Sequence, residues 1–266
     1  MRMPVRDNSQ NSLPSLRSNM QEFLIFGLYG PMASWGDSAP GEVRPTFDRP
    51  SKSAVMGLIA AALGIRRDEE IRQRELALGY RMAVRIDSRG TLLRDHHTVQ
   101  VPSAASDGAT DPSATRKDEL MVPKERLNTL LSSRDYRCDA AYTICLWGRT
   151  DAPPYSLAAI QASLDTPAFV LYLGRKSCPP ALPVHAQIVK AKNLAEALGS
   201  VRFSDNPFIS CLAGRNAPVV FWEGNEEAGF EREGMTTRRD NPTSRKRWQF
   251  LDRHEQYTTI QTPGGG

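Results

Sequence analysis

One stretch of the sequence combines the residue types that single-stranded nucleic acid needs. Residues 30–53 read GPMASWGDSAPGEVRPTFDRPSKS. Aromatic faces stack bases, cations neutralise phosphates, and the free N–H groups of a helix N-terminus receive a phosphate oxygen. The same composition also suits a Gly/Pro-rich loop whose tryptophan fills the core, so both interpretations stay open. The aromatic and basic residues of the stretch are Trp35, Phe47, Arg44, Arg49 and Lys52.

A second segment, RDHHTVQVP (residues 94–102), contains two adjacent histidines. Histidine pairs suit acid–base chemistry of the kind used by metal-independent RNases. However, neighbouring residues of a strand point to opposite faces, so His96 and His97 could not easily share one site. The pattern favours a structural or RNA-contact role, and catalysis stays open as the alternative.

A third segment, LGRKSCPP, places Arg175 and Lys176 directly after a predicted strand, where a basic pair can contact a phosphate or face water. The sequence lacks GxxxxGK[ST], HExxH and GxSxG, and it has no carboxylates at metal-ligand spacing. Its four cysteines and four histidines form no zinc pattern. We therefore predict reduced thiols, no metal and no cofactor.

Composition indicates a soluble, cytoplasmic globular protein. Of 266 residues 40% are hydrophobic, and 34 basic against 30 acidic residues leave a mild net charge of +4. The longest apolar run, Ala54 to Ile65, is too short to cross a bilayer and predicts a buried helix. Residues Met1 to Asn19 lack the apolar region of a signal peptide and predict a disordered extension or an overcalled start.

The periodicity predicts two β-α-β units separated by a long polar insertion, which is the order of an α+β, ferredoxin-like fold. In such a fold the helices cover one face of the sheet, and RNA would lie on the open face or on the loops at its rim. We predict this domain over residues 20–183, and a β-rich lobe with a basic tail over 184–266. The predicted elements are strand Gln21–Leu28, a helix capped by Ser51 and ending near Leu63, helix Arg66–Leu78, strand Tyr80–Asp87, the insertion at about 94–138, strand Ala140–Trp147, helix Tyr155–Leu164 and strand Ala168–Leu173, followed by strands at Val184–Lys192, Val219–Trp222 and Trp248–Leu251.

Several of these segments resemble one protein family. GPMASWGD, RPTFDRPSKSAVMGLIAAALGI, RDHHTV, CDAAYTICLW and YLGRKSCP, spread over Met20 to Pro183, are similar to the Cas-five (CasD) family of type I-E CRISPR Cascade subunits, in the RAMP superfamily. The resemblance implies an RRM-like fold whose insertion forms a thumb. It also implies binding of the crRNA 5′ handle, contacts with a Cas-seven-type backbone subunit and the large subunit, and only indirect contact with target DNA. The type I-E branch implies a non-catalytic subunit.

The resemblance also assigns site residues by position. The N-terminal extension, the long thumb run SAASDGATDPSATRKDE and the Arg-rich tail depart from the family pattern. The implied handle-binding surface is Trp35, Gly36, Arg44, Thr46, Ser51, Lys52 and Ser53, with His96, His97 and Thr98 at the thumb base, Arg116 and Lys117 on the thumb, and Arg175 and Lys176 on a basic rim.

Two other functions stay open. The first is a metal-independent endoribonuclease acting on CRISPR repeat RNA, as in the type I-C branch. It would use His96 or His97 as the general base, and Lys117 or Lys176 to stabilise the phosphorane. The second is an RRM-like RNA binder unrelated to CRISPR, although the sequence lacks the aromatic RNP octet of RRM domains.

Overall fold

The computed structural model of the protein describes residues 20–36, 41–103, 115–201, 207–212, 217–224, 228–244 and 246–260; the predicted extension over residues 1–19 lies outside these ranges. The strands are β1 (Gln21–Tyr29), β2 (Met32–Ala33), β3 (Val43–Arg44), β4 (Tyr80–Ser88), β5 (Thr91–Pro102), β6 (Leu127–Cys138), β7 (Ala141–Gly148), β8 (Gln187–Ala191), β9 (Val219–Trp222), β10 (Gly234–Ser244) and β11 (Gln249–Thr259). The helices are α1 (Lys52–Ala62), α2 (Glu70–Gly79), α3 (Arg116–Glu119), α4 (Leu157–Asp165), α5 (Leu194–Ser200) and α6 (Pro207–Ser210), with a 3-10 turn at Lys124–Arg126. The protein is therefore a mixed α/β structure dominated by sheet.

The core is built on a seven-stranded sheet in the order β10-β11-β9-β4-β7-β1-β8. Every neighbouring pair in this sheet is antiparallel. Apolar residues alternate to both sides of β1: Leu24 and Phe26 belong to one buried cluster, whereas Phe23 and Ile25 belong to another. The strand is buried on both faces and must be covered on each.

Helices α1 and α4 cover the first face. Helix α1 begins at Ser51, whose hydroxyl accepts a hydrogen bond from the N–H of Ala54, and it ends before Gly64, whose φ of 72° suits a residue without Cβ. Val55 and Ile59 of α1 pack in the same cluster as Ile160 of α4. The predicted helix boundaries are confirmed for α1, because cap and apolar run agree.

Helix α5 covers the second face. Leu194, Ala197 and Leu198 of this helix share a buried cluster with Phe23 of β1 and Trp147 of β7. The prediction of an open sheet face is therefore wrong for this part of the sheet. The physical reason is that strands with large apolar residues on both sides cannot leave either face in water.

The predicted strand at Ala168–Leu173 is wrong. The N–H groups of Ala168 and Phe169 donate to the carbonyl oxygens of Ala62 and Ala61 in the last turn of α1. This segment is therefore a loop along α1, and the position beside β1 is taken by β8, which lies within the predicted strand Val184–Lys192.

The insertion contains a long two-stranded ribbon rather than irregular chain. We call β5 and β6 the ribbon; they pair antiparallel from Thr91 opposite Cys138 to Pro102 opposite Leu127. Strands β2 and β3 pair with β6 and tie the base of the ribbon to the segment before α1. Residues 104–114, part of the predicted loose thumb run, lie outside the described residues.

Strands β9, β10 and β11 continue the main sheet beyond β4. The predicted strands Val219–Trp222 and Trp248–Leu251 are confirmed, the second as the start of β11. The division into two domains at residue 183 stays a prediction. No helix in the described part of the chain is both long and apolar enough to cross a membrane.

Candidate nucleic-acid interface

The loop at residues 173–176 lies against the segment before α1. The N–H of Ser34 donates to the carbonyl oxygen of Leu173 at 3.0 Å, and a Cβ on Gly174 would lie 1.8 Å from the carbonyl oxygen of Ser34. Gly174 also has a φ of 87°, so glycine is required here for both close approach and backbone conformation. The turn directs Arg175 toward Arg44, whose carbonyl oxygen accepts a hydrogen bond from Arg175 Nη2 at 3.1 Å.

Four of the residues assigned by resemblance come together around this turn. Gly36 forms a β-bridge with Thr46, and Thr46 Oγ1 accepts a hydrogen bond from the N–H of Trp35 at 2.8 Å. Arg44 is exposed on β3, and the guanidinium carbon of Arg175 lies 4.8 Å from the ring centroid of Tyr136. Gly36, Arg44, Thr46 and Arg175 therefore form one surface, with exposed Lys176 beside them.

Two other assigned residues are buried. Trp35 is 2% exposed and packs edge-on against Tyr142, with ring centroids 5.6 Å apart. Lys52 is 0% exposed, and its Nζ donates to Glu223 Oε2 at 2.8 Å and to the carbonyl oxygen of Tyr80 at 3.0 Å. Base stacking on Trp35 and phosphate contact by the Lys52 ammonium are therefore wrong, because neither group reaches solvent.

The N-terminus of α1 is occupied by the protein itself. The N–H of Lys52 donates to Asp240 Oδ2 at 2.8 Å, and Ser51 Oγ accepts from Ala54. An internal carboxylate thus takes the position at Lys52 N–H that was predicted for a phosphate. Half-buried Ser53 lies beside the cap, with its Oγ 3.0 Å from Ser51 Oγ.

Asp240 belongs to a buried ionic network that sequence reasoning missed. Arg253 donates to both carboxylate oxygens of Asp240 at 2.8 Å and to Glu255 at 2.6 Å. Burial is the largest single influence and opposes ionisation of Asp240, but the hydrogen bonds and charge of Arg253, the charge of Arg238 and the N–H of Lys52 together lower the pKa of Asp240. Arg49 Nη2 also lies 2.6 Å from Glu255 Oε2. These partners are up to 206 residues apart, so no local pattern in the sequence reveals them.

A cleft of about 890 Å³ opens over α1. We call it the cleft; residues of α1, of the loop from Phe169 to Arg175, and of β10 and β11 line it. Among the assigned residues, Gly36, Ser51, Ser53 and Arg175 line it. The remaining lining includes Phe47, Tyr172, Phe250, Trp248, Arg66, Arg67, Arg238, Arg239 and Asp240.

The residues that the resemblance assigned to a thumb and its base lie on or beside the ribbon and do not line the cleft. Exposed His96 has its Nδ1 3.0 Å from Ser133 Oγ, whereas His97 Nε2 lies 2.6 Å from Asp95 Oδ2. Thr98 is exposed on β5, opposite Leu131. At the other end of the insertion, α3 carries exposed Arg116 and Lys117, and Arg116 donates to the carbonyl oxygen of Gln100.

The described residues contain no cluster of three or more His, Cys, Asp or Glu side chains able to hold a metal ion. Burial raises the pKa of the Cys145 and Cys178 thiols, which favours the protonated, unreactive form. The guanidinium groups and aromatic rings that line the cleft can bind a ligand through non-covalent contacts.

Comparison with known proteins gives consistent matches. A family model described as CRISPR-associated protein (Cas_Cas5) matches residues 23–254. The CRISPR system Cascade subunit CasD of Escherichia coli (strain K12) is 32% identical over 187 residues, which cover 67% of this chain and 76% of that protein. A chain of a CRISPR RNA-guided surveillance complex superposes with a TM-score of 0.57 at 24% identity, covering 91% of both chains. A crystal structure of a Cas protein superposes with a TM-score of 0.54 at 25% identity, covering 89% of this chain and 94% of the other.

Proposed function

Because the chain belongs to the Cas5 family of CRISPR-associated proteins, and is therefore a subunit of a CRISPR effector complex, we propose that it caps the 5′ handle of crRNA without cleaving it. The observation that carries this proposal is the chemistry of the cleft. Five arginines and several aromatic rings line it, against one carboxylate, Asp240, which is already bonded to Arg253. This combination suits single-stranded RNA.

The strand order supports a ferredoxin-like, RRM-like arrangement of the RAMP type within this α/β structure. Beside one another in the main sheet lie β8, β1, β7 and β4, with α1 between β1 and β4 in the chain and α4 between β7 and β8. This is the order 4-1-3-2 that the split βαβ arrangement gives. In this proposal the ribbon and α3 form the thumb.

The RNA lies at the rim of the sheet in this proposal, since α5 covers the second sheet face. Its phosphates contact Arg44, Arg175 and Lys176 near Gly36, Thr46 and the α1 cap, and its path continues over the cleft. His96, His97, Thr98, Arg116 and Lys117 contact the RNA or a neighbouring subunit from the thumb.

The ribbon is proposed to bind a backbone subunit of the Cas-seven family. A two-stranded ribbon is marginally stable alone in water, and this one exposes large apolar side chains. A partner subunit would bury these side chains. The large subunit of a Cascade complex would bind elsewhere on the protein and bring target DNA to the guide RNA in the cytoplasm. The exposed residues are Leu92, Leu93, Val99, Leu130 and Leu131, each 39–58% exposed.

A binding titration at several salt concentrations tests the proposal. About five phosphate contacts predict that log K falls with log salt at a slope of roughly −3.5. The purified protein is titrated with repeat-derived RNA in EDTA, and a denaturing gel of the same samples reports cleavage. Salt-dependent binding with intact RNA supports the capping subunit, whereas a slope near zero contradicts the electrostatic contacts.

The endoribonuclease alternative is disfavoured by the histidine geometry. His96 bonds to Ser133, and the carboxylate beside His97 is Asp95, so the two imidazoles have different partners. Neither imidazole lies in the cleft. Site-specific cleavage in EDTA that is abolished in His96→Ala or His97→Ala would establish the enzyme instead.

A further inference from the structure

The end of the cleft beside the C-terminus of α1 contains residues that neither the sequence motifs nor the family resemblance assigned. Phe169 lies there because its N–H donates to the carbonyl oxygen of Ala61. Trp248, in the turn between β10 and β11, lines the same cleft, as does Phe250 of β11. Arg66 and Arg67 follow α1 in the chain and complete this end.

Trp248 is unusual among the tryptophans of the protein. It is 62% exposed, whereas the other three are 2–4% exposed. Its φ of 52° lies in the left-handed region, which a bulky side chain rarely occupies. Backbone strain of this kind concentrates at binding sites, where the surrounding structure holds it in place.

The turn that carries Trp248 is fixed to the body of the protein. Ser244 Oγ donates to Glu70 Oε1 of α2 at 2.6 Å and accepts from the N–H of Arg247 at 3.1 Å. The guanidinium carbon of Arg67 lies 5.5 Å from the Trp248 ring centroid, in cation–π contact. The indole is thus held over the cleft with a cation beside it.

The charges of the cleft decide which occupant fits. Arg67 lies beside Trp248, Arg66 and Arg239 line the same cleft, and the single carboxylate of the lining is paired internally. A polyanion with flat apolar faces is complementary to this surface, since aromatic rings take its bases and guanidinium groups take its phosphates.

We propose that Trp248, with Arg67 beside it and Phe169 in the same cleft, is a stacking site for one unpaired base of the bound RNA. The inference rests on the proposed RNA binding and adds a position on the RNA that is recognised through its base, independently of the phosphate contacts near Arg175. The experiment must therefore separate a lost base contact from a general loss of RNA binding.

An abasic scan of the RNA against a Trp248 variant makes that separation. Repeat-derived RNAs with one abasic site at each handle position are titrated against the wild type and Trp248→Ala. In the wild type, one abasic position should lower affinity roughly 5- to 150-fold, the range for stacking of one base on an aromatic ring. Trp248→Ala should bind the intact RNA more weakly than the wild type does, by the same factor. For this variant, an abasic site at that position should cause no further loss of affinity.

Two controls define the result. Leu251→Ala removes another exposed side chain of the same hairpin (57% exposed), which does not line the cleft, and should leave RNA affinity unchanged. Trp248→Phe keeps an aromatic ring and should retain part of the RNA affinity that Trp248→Ala loses. RNA should also quench the tryptophan fluorescence of the wild type, because Trp248 is the exposed indole, but not that of Trp248→Ala.

The outcomes are distinct. Binding by the wild type with no position coupled to Trp248 overturns the stacking site and leaves the proposed function intact. If Trp248→Ala binds RNA normally but fails to assemble with the partner subunits, the stacking site is overturned in favour of a protein-docking surface. Absence of RNA binding by the wild type contradicts the proposed function itself.

Discussion

At the scale of single residues, Glu223 pairs with cations from three parts of the chain; Lys52 and Arg253 are buried, whereas Arg149 is exposed. Glu223 Oε2 lies 2.8 Å from Lys52 Nζ and 2.7 Å from Arg149 Nη2, and Oε1 lies 3.6 Å from Arg253 Nη1. Burial lowers the pKa of Lys52, and the Glu223 carboxylate opposes that shift. The ammonium therefore depends on this carboxylate for its charge.

Glu223→Gln should lower the free energy of unfolding by about 3–5 kcal/mol, because it leaves the buried Lys52 ammonium without its counter-charge. Urea denaturation measures the change. Glu22→Gln is the matched control, since Glu22 forms a 3.5 Å pair with Lys190 in which both side chains are more than half exposed. Exposed pairs contribute about 0–1 kcal/mol, so similar losses in both variants would contradict a structural role for the network.

Arg175 is the residue of the predicted basic rim with the most defined geometry. It donates to the carbonyl oxygen of Arg44 and its guanidinium lies over the ring of Tyr136. Arg175→Ala should weaken RNA binding and make the salt slope shallower by about 0.7, the contribution of one phosphate contact. Arg175→Lys should preserve the slope and still bind less tightly, because lysine lacks the planar fork. An unchanged slope in Arg175→Ala would remove Arg175 from the interface.

At the scale of elements, the loop from Phe169 to Arg175 connects the fold to the site. Its first residues bond to the end of α1, and Gly174 fits against Ser34 at the other end. These contacts fix the loop against the body of the protein and so position Arg175.

Gly174→Ala should displace this loop, since the new Cβ would overlap the Ser34 carbonyl oxygen and the φ of 87° is unfavourable for alanine. We expect a loss of stability of at least about 1 kcal/mol, with weaker RNA binding. Gly199→Ala is the matched control, because nothing lies within 4 Å of its Cβ position and it sits in α5. Thermal unfolding and RNA titration of both variants check this; equal behaviour would contradict the proposed constraint.

Local sequence signals predicted some elements and misled on others for identifiable reasons. Helix α1 was predictable because its cap, apolar run and terminal glycine all agree. The ribbon was not, because it is exposed on both sides and lacks the apolar alternation of a half-buried strand. The segment at Ala168–Leu173 has β-forming residues, but the end of α1 takes its N–H groups.

The same limit applies to the candidate site. The family resemblance assigned Arg44 and Thr46 to the handle-binding surface and Arg175 to a basic rim, and in the structure Arg175 lies against Arg44. The resemblance also placed Lys52 on the handle-binding surface, although the chain folds Glu223 onto that ammonium from 171 residues away. The burial of a charged side chain depends on such distant partners, which a single sequence does not reveal.

At the scale of the whole molecule, the ionic network joins the β10–β11 hairpin to the N-terminus of α1. Asp240 of β10 accepts from Lys52 N–H and from Arg253, and Arg49 reaches Glu255 of β11. The hairpin therefore attaches to the body through ionised carboxylates, and the attachment must depend on pH.

The direction of that dependence follows from the lowered pKa of Asp240. In the unfolded chain an aspartate titrates near pH 3.9, whereas in the fold Asp240 stays ionised to lower pH. Its stabilising contribution is fully present above about pH 4–5 and is lost as the pH falls through the folded pKa. The free energy of unfolding, measured by urea denaturation from pH 7 downward, should therefore fall in acid.

Asp240→Asn should be less stable at neutral pH and should show a shallower acid dependence, whereas Asp165→Asn, which changes an exposed carboxylate at the end of α4, should follow the wild type. If the free energy of unfolding of Asp240→Asn fell with pH as steeply as that of the wild type, the hairpin would be held by other contacts.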